Sequence, residues 1–170
     1  MTVTAVRKDI DALTLDLTAE FDATPERIWQ LWADPRLLER WWGPPTYPAT
    51  FTDHDLTPGG RMNYFMTGPA GDKAGGWWQI LEIDPPRSLS FRDGFSRQDG
   101  TPDPDFPEMV VHVAIEDIGA GRTRMSILSR FPTPAAMEQL TALGMVEGLT
   151  EAVGQIDAIL AEGGVTQGSR

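Results

Sequence analysis

The feature that most constrains this chain is the block Ala23-Thr-Pro-Glu-Arg-Ile-Trp-Gln-Leu-Trp-Ala-Asp-Pro-Arg-Leu-Leu-Glu-Arg-Trp-Trp-Gly-Pro44, which holds four of the six tryptophans. Thr24 is placed to cap a short helix, with Pro25 in its first turn, where a missing N–H costs nothing. Ile28, Leu31 and Trp32 then recur at helical spacing. Asp34-Pro35 repeats the capping device, Leu38, Trp41 and Trp42 repeat the apolar face, and Gly43-Pro44-Pro45 ends it. Two helices this short cannot bury so much aromatic surface against each other. They must close over a larger partner.

The rest of the chain supplies that partner. Leu13, Leu15, Leu17, Ala19 and Phe21 alternate with polar residues and predict a half-buried strand. Further strands are expected over Pro48–Leu56 (weakly), Arg61–Thr67, Trp77–Ile83, Ser88–Arg92, Met109–Ile118 and Arg122–Phe131. Turns rich in Gly and Pro separate them, and Gly68–Gly76 reads as a long hairpin loop. Residues 96–108 carry three prolines, three aspartates and a glycine, and read as the least ordered connection. Thr133-Pro134 opens a long helix whose apolar stripe runs through Met137, Leu140, Met145, Leu149, Val153, Ile156 and Leu160, with Gly163-Gly164 as its stop. Gly144, Gly148 and Gly154 each cost that helix about 1 kcal/mol against Ala. Close approach to the sheet, a kink near Gly144 or room for a ligand would explain them. The expected fold is α+β, a curved antiparallel sheet of about seven strands wrapped on a long C-terminal helix, with two short helices after the first predicted strand. The expected organisation is a flexible N-terminus (1–12), a single domain (13–162) and a flexible C-terminus (163–170).

The 170 residues suffice for one domain with a real core. The net charge of −11, without a basic run, argues against nucleic acid and against an anionic membrane surface. No cysteine is present, which excludes disulfides, thiolate catalysis and Cys-zinc sites. No segment approaches the roughly 20 apolar residues of a membrane span, and the N-terminus has no signal-peptide pattern. A cytoplasmic protein is expected.

Signals for chemistry are weak. His54 lies in Asp53-His54-Asp55, but adjacent strand residues point to opposite faces, so these three do not converge. His112 lies between Val111 and Val113 and should point outward. The Gly68–Gly76 loop lacks a Gly-Lys-Ser/Thr ending, and the acidic residues at 99–108 lack the ligand order of a calcium loop. No catalytic residue, metal site or cofactor is therefore assigned. The apolar signal is stronger: Tyr64 and Met66, Phe91, Val113, Met125 and Ile127 on strand faces, and Met145 and Leu149 on the helix, form a candidate cavity wall. Tyr64, Gln79 and Ser129 are the polar groups expected to orient a ligand. Gln79 is placed on the inward face with Trp77, Leu81 and Ile83, because Glu82 then points to water.

The order of elements, with Ala23–Trp29, Trp32–Gly43, Leu56-Thr-Pro-Gly-Gly60, Glu82–Leu89, Gly121-Arg-Thr-Arg-Met125 and Gly144-Met-Val-Glu-Gly-Leu149, resembles the START-related (SRPBCC, birch-pollen-allergen-like) superfamily and its helix-grip fold. Within it the chain is similar to the family named for the activator of the heat-shock-protein-90 ATPase. The resemblance implies a cavity between sheet and C-terminal helix, but no shared activity, since relatives include lipid carriers, hormone receptors, cyclases and a co-chaperone. The expectation is non-enzymatic binding of an apolar or amphipathic small molecule by a monomer or homodimer, with no nucleic acid or membrane partner. The alternatives are an enzyme (cyclase, dehydratase or hydrolase) using the same cavity, and a co-chaperone or stress-associated interaction module.

Overall fold

A computed structural model describes residues 3–168, with side chains described through residue 162. The strands β1 (Val3–Asp9), β2 (Thr14–Phe21), β3 (Ala49–His54), β4 (Arg61–Thr67), β5 (Lys73–Asp84), β6 (Ser88–Ser96), β7 (Met109–Gly119) and β8 (Arg122–Arg130) form one antiparallel sheet. Its order is β1-β2-β8-β7-β6-β5-β4-β3. Strands β3 to β8 are a meander of consecutive hairpins. The one long crossing runs from β2 to the far edge at β3, and it carries α1 (Pro25–Ala33) and α2 (Pro35–Trp41).

Local chemistry explains that crossing. Thr24 Oγ1 accepts from the Arg27 N–H and Asp34 Oδ1 from the Arg36 N–H, so each short helix begins on its own cap. Trp32, Trp41 and Trp42 are all buried, and they close over the sheet through Trp78 on β5 and Phe91 on β6. Trp32 meets Trp41 edge-on at 4.8 Å, Trp42 meets Trp78 edge-on at 4.7 Å, and Trp78 stacks on Phe91 at 4.1 Å. The Trp41 indole N–H donates to the Leu31 carbonyl at 2.9 Å, tying the end of the second helix to the last turn of the first.

The C-terminal helix is long but segmented into α3 (Pro134–Ala142), α4 (Met145–Gly154) and α5 (Ile156–Gly168). The break between the first two falls at Gly144, whose φ of 88° lies in the left-handed region open to glycine. The expected kink is therefore at that residue. The last segment extends past Gly163-Gly164, where a stop was expected. The end of the predicted C-terminal tail, residues 169–170, lies outside the described residues.

Two further differences from the sequence expectation have physical causes. The N-terminal residues, expected to be loose, supply the eighth strand, β1. It is an edge strand held by backbone pairing with β2 and is exposed along nearly its whole length, so it has no apolar alternation to read. The second is β5, which begins at Lys73 and takes in half of the expected hairpin loop. Its Gly75 and Gly76 carry no side chain because Ser96 and Tyr64 occupy the space where a Cβ would stand.

Candidate functional site

The concave face of the sheet divides into two halves. Under α1 it is filled: Trp32 donates to Met125 Sδ at 3.4 Å, and Phe91, Val113 and Met125 are fully buried among the indoles. Under α3 and α4 the sheet and helices stand apart, leaving a cavity of about 280 Å³. That is near the lower end of the range of about 300–1,000 Å³ typical of small-molecule sites.

Four strands build its floor. Tyr64 and Met66 come from β4, Asp93, Gly94 and Phe95 from β6, Met109 and Val111 from β7, and Ile127 and Ser129 from β8. Its roof is Leu140, Leu143, Gly144, Met145, Gly148 and Leu149, from the end of α3 and the first turns of α4. Trp42, Pro44 and Tyr47 close one side and Pro107 contributes to another. A Cβ at Gly148 would meet nothing within 4 Å, so this glycine does not serve close packing on the sheet; it leaves space open. Leu143 is 58% exposed while also lining the cavity, which places it at the mouth.

Six of the ten residues expected to contact a ligand thus line the cavity: Tyr64, Met66, Ile127, Ser129, Met145 and Leu149. Phe91, Val113 and Met125 do not, because the tryptophans of the short helices fill the half of the face they occupy. Gln79 is on the wrong face. Trp78 and Ile80 point into the core, and Gln79 turns outward, where it accepts from Arg92 Nη1 at 2.7 Å. The irregularity between Ile80 and Glu82 lets β5 keep Ile80 and Ile83 on the core without strict alternation, leaving Leu81 exposed.

The residue that sequence reasoning missed is Asp93. It is one strand step of two beyond the inward Phe91 and lies directly between Trp78 on β5 and Met109 on β7. Its side chain is 7% exposed, and among the described residues it makes no hydrogen bond or ion pair. Burial pushes its carboxyl up to about 8. Burial likewise raises the Tyr64 phenol well above its ordinary range, and the charge of Asp93 adds to the effect. The indole N–H groups of Trp42 and Trp78 oppose that rise, yet neither completes a hydrogen bond. Ser129, also buried, has no side-chain partner among the described residues. Asp93 and Ser129 therefore bring unspent hydrogen-bonding capacity to an otherwise apolar cavity.

The other candidate groups have structural partners. His54 Nε2 lies 2.9 Å from the Trp32 carbonyl and so donates to it, Asp53 accepts from Asn63, and Asp55 accepts from Thr57. His112 is exposed on the outer face. No group of three or more His, Cys, Asp or Glu side chains suited to a metal exists among the described residues. Among the same residues, no helix is long and apolar enough to cross a membrane.

Solved structures share this architecture. Protein Ms6760 from Mycobacterium smegmatis is 47% identical, with a TM-score of 0.86 over 93% of this chain and 96% of its own. A protein from Arthrobacter aurescens is 48% identical, with a TM-score of 0.91 over 95% of this chain and 93% of its own. A protein from Rhodobacter sphaeroides keeps the fold at 24% identity, with a TM-score of 0.80 over 95% and 99%. No curated protein matches the chain. The pattern of the family described as Activator of Hsp90 ATPase homolog 1-like protein spans residues 22–161, from the cap of α1 into α5 and so across every element that builds the cavity, and the chain belongs to that family.

Proposed function

We propose that this protein binds a small apolar or amphipathic molecule in the cavity beneath α3 and α4, without transforming it. The observation that carries the reading is the pairing of an unfilled, apolar space with a few polar groups that have no partner among the described residues. A core packed for stability alone leaves neither. A cytoplasmic setting suits a carrier or sensor of this kind. The test is titration of the folded protein with an apolar fluorescent dye such as 1-anilinonaphthalene-8-sulfonate alongside its uncharged parent N-phenyl-1-naphthylamine. Saturable one-to-one binding of the uncharged dye supports the reading, and its absence from the folded protein refutes it.

Asp93 favours a second reading, an enzyme using the same cavity. A carboxyl that keeps its proton near neutral pH beside a tyrosine is a suitable general acid for a dehydration or cyclisation. Under that reading Asp93→Asn would retain unreacted substrate on purification from its own host, and native mass spectrometry would find different small molecules on variant and wild type. The same molecule on both supports the binder. The interaction-module reading rests on the family's name alone.

A further inference from the structure

We propose that the cavity selects an uncharged ligand bearing a hydrogen-bond-accepting oxygen, such as a ketone or ester carbonyl, which takes a hydrogen bond from the Asp93 carboxyl; this rests on reading the cavity as the binding site. The charge inventory of the wall points to such a ligand. Among the described residues, Asp93 is its one carboxyl, and no Lys, Arg or His lines it. A ligand carboxylate would enter an apolar space without a counter-charge, which burial penalises heavily. The wall's polar rings add no counter-charge: the Tyr47 hydroxyl is committed to Asp72 Oδ2 at 2.8 Å, and the Tyr64 phenol and Trp42 indole are neutral.

The surroundings of Asp93 itself point the same way. Its paired neighbours are Trp78 on β5 and Met109 on β7, and its cavity neighbours across on α4 are Met145 and Leu149. Among the described residues, the titratable group that feels its charge is the Tyr64 phenol on β4, which that charge would push up, while burial alone raises Asp93 itself. The nearest cation in sequence, Arg92, faces the other side of the sheet and is held by Glu108 and Gln79. With no cation to stabilise the anion, the carboxyl keeps its proton up to about pH 8. A protonated carboxyl offers one O–H donor, and no group among the described residues accepts it. A ligand oxygen completes that bond.

The probes are a matched naphthalene series: 2-acetylnaphthalene, the near-isosteric hydrocarbon 2-ethylnaphthalene, and 2-naphthoate, titrated calorimetrically at pH 6.5 and 9.5. The ketone is expected to bind roughly tenfold tighter than the hydrocarbon at pH 6.5, the scale of one buried hydrogen bond. That margin should vanish at pH 9.5, where Asp93 is ionised. Asp93→Asn, whose amide donates at both pH values, should keep the margin at both, and Asp93→Leu should lose it at both while still binding the hydrocarbon. The naphthoate should bind more weakly than the ketone throughout. A ketone margin that survives in Asp93→Leu, or naphthoate binding equal to the ketone, overturns this proposal and leaves the cavity reading standing. Failure of every probe, hydrocarbon included, overturns the cavity reading and this proposal with it.

Discussion

Tyr64 on β4 occupies the space in which Gly76, its directly paired neighbour on β5, would carry a Cβ. The same device recurs on the outer face, where the Trp77 ring lies 2.6 Å from the Cβ position of its paired Gly94. In both cases a glycine inside a strand sacrifices its own packing so that a large ring can lie over the backbone. At position 76 the result is functional: it lets the Tyr64 phenol join the cavity wall beside Asp93.

Gly76→Ala should therefore displace the phenol as well as strain the strand pair. The expected cost is about 1–3 kcal/mol, typical of overpacking. In a Tyr64→Leu background the shorter side chain leaves the Cβ free, so the same substitution should cost much less. Urea denaturation of the four proteins in this cycle measures the coupling. Equal costs in both backgrounds would show that Tyr64 is not what position 76 accommodates.

Trp32, Trp41 and Trp42 predict a second result. All three are buried, and each contacts another ring of the cluster that joins the short helices to the sheet. Truncation to Ala at any of them should cost about 3–5 kcal/mol. Trp42 differs from the other two in lining the cavity. Trp42→Ala should also enlarge the site and shift its preference toward bulkier probes. Melting temperatures within a degree or two of wild type for all three would refute the closing role of this helical pair.

The buried carboxyl makes stability depend on pH in an unusual direction. Asp93 is raised from 3.8 to about 8 in the folded protein. Between those values the folded chain holds a proton that the unfolded chain has released, so stability falls as pH rises, by up to about 1.4 kcal/mol per pH unit from this group. The loss begins as the unfolded chain ionises near pH 4 and stops growing once pH passes the folded value. Asp93→Asn removes the contribution. The variant should match wild type near pH 4 and exceed it in stability at pH 8–9, as read from paired urea denaturations. Other carboxylates titrate alike in both proteins and cancel in the difference. A variant less stable than wild type at pH 8 would show that ionised Asp93 has a compensating partner.

What was legible in the sequence divides along physical lines. The short helices, the meander and the C-terminal helix announce themselves through caps, turns and apolar periodicity, all of which are local. The strand β1 was illegible because backbone pairing leaves no mark on side-chain pattern when both faces meet water. Gln79 was misplaced because one residue of irregularity near Leu81 shifts the alternation in β5. Phe91, Val113 and Met125 do face inward, as their alternation implies, but which half of the face the tryptophans fill is a tertiary fact. Asp93 follows from Phe91 by the period of two. The Asp93-Gly94 pair mimics a turn, however, and ends the predicted strand at Arg92, four residues short of the end of β6 at Ser96. Residues 96–108 were read as the least ordered connection. They fold back instead through a Ser96–Pro102 bridge, a bond from the Asp103 N–H to the Phe95 carbonyl at 2.9 Å, and packing of Phe106 on Phe95.

The strongest test of the cavity is to fill it from the helix side. Gly148 lies in α4 at the roof, and its Cβ position has open space around it. Leucine there gains helix propensity of about 1 kcal/mol over glycine and projects its side chain into the space a ligand would take. In a filled core the same change would cost about 1–3 kcal/mol from overpacking. The structure therefore predicts that Gly148→Leu melts at or above the wild-type temperature and binds no uncharged naphthalene dye. Thermal melts and dye titration on the same preparation report both quantities. A stable variant that still binds the dye at full stoichiometry would place the dye elsewhere on the protein. A destabilised variant would mean that the space beneath α4 closes in solution, and the ligand-binding reading would fall with it.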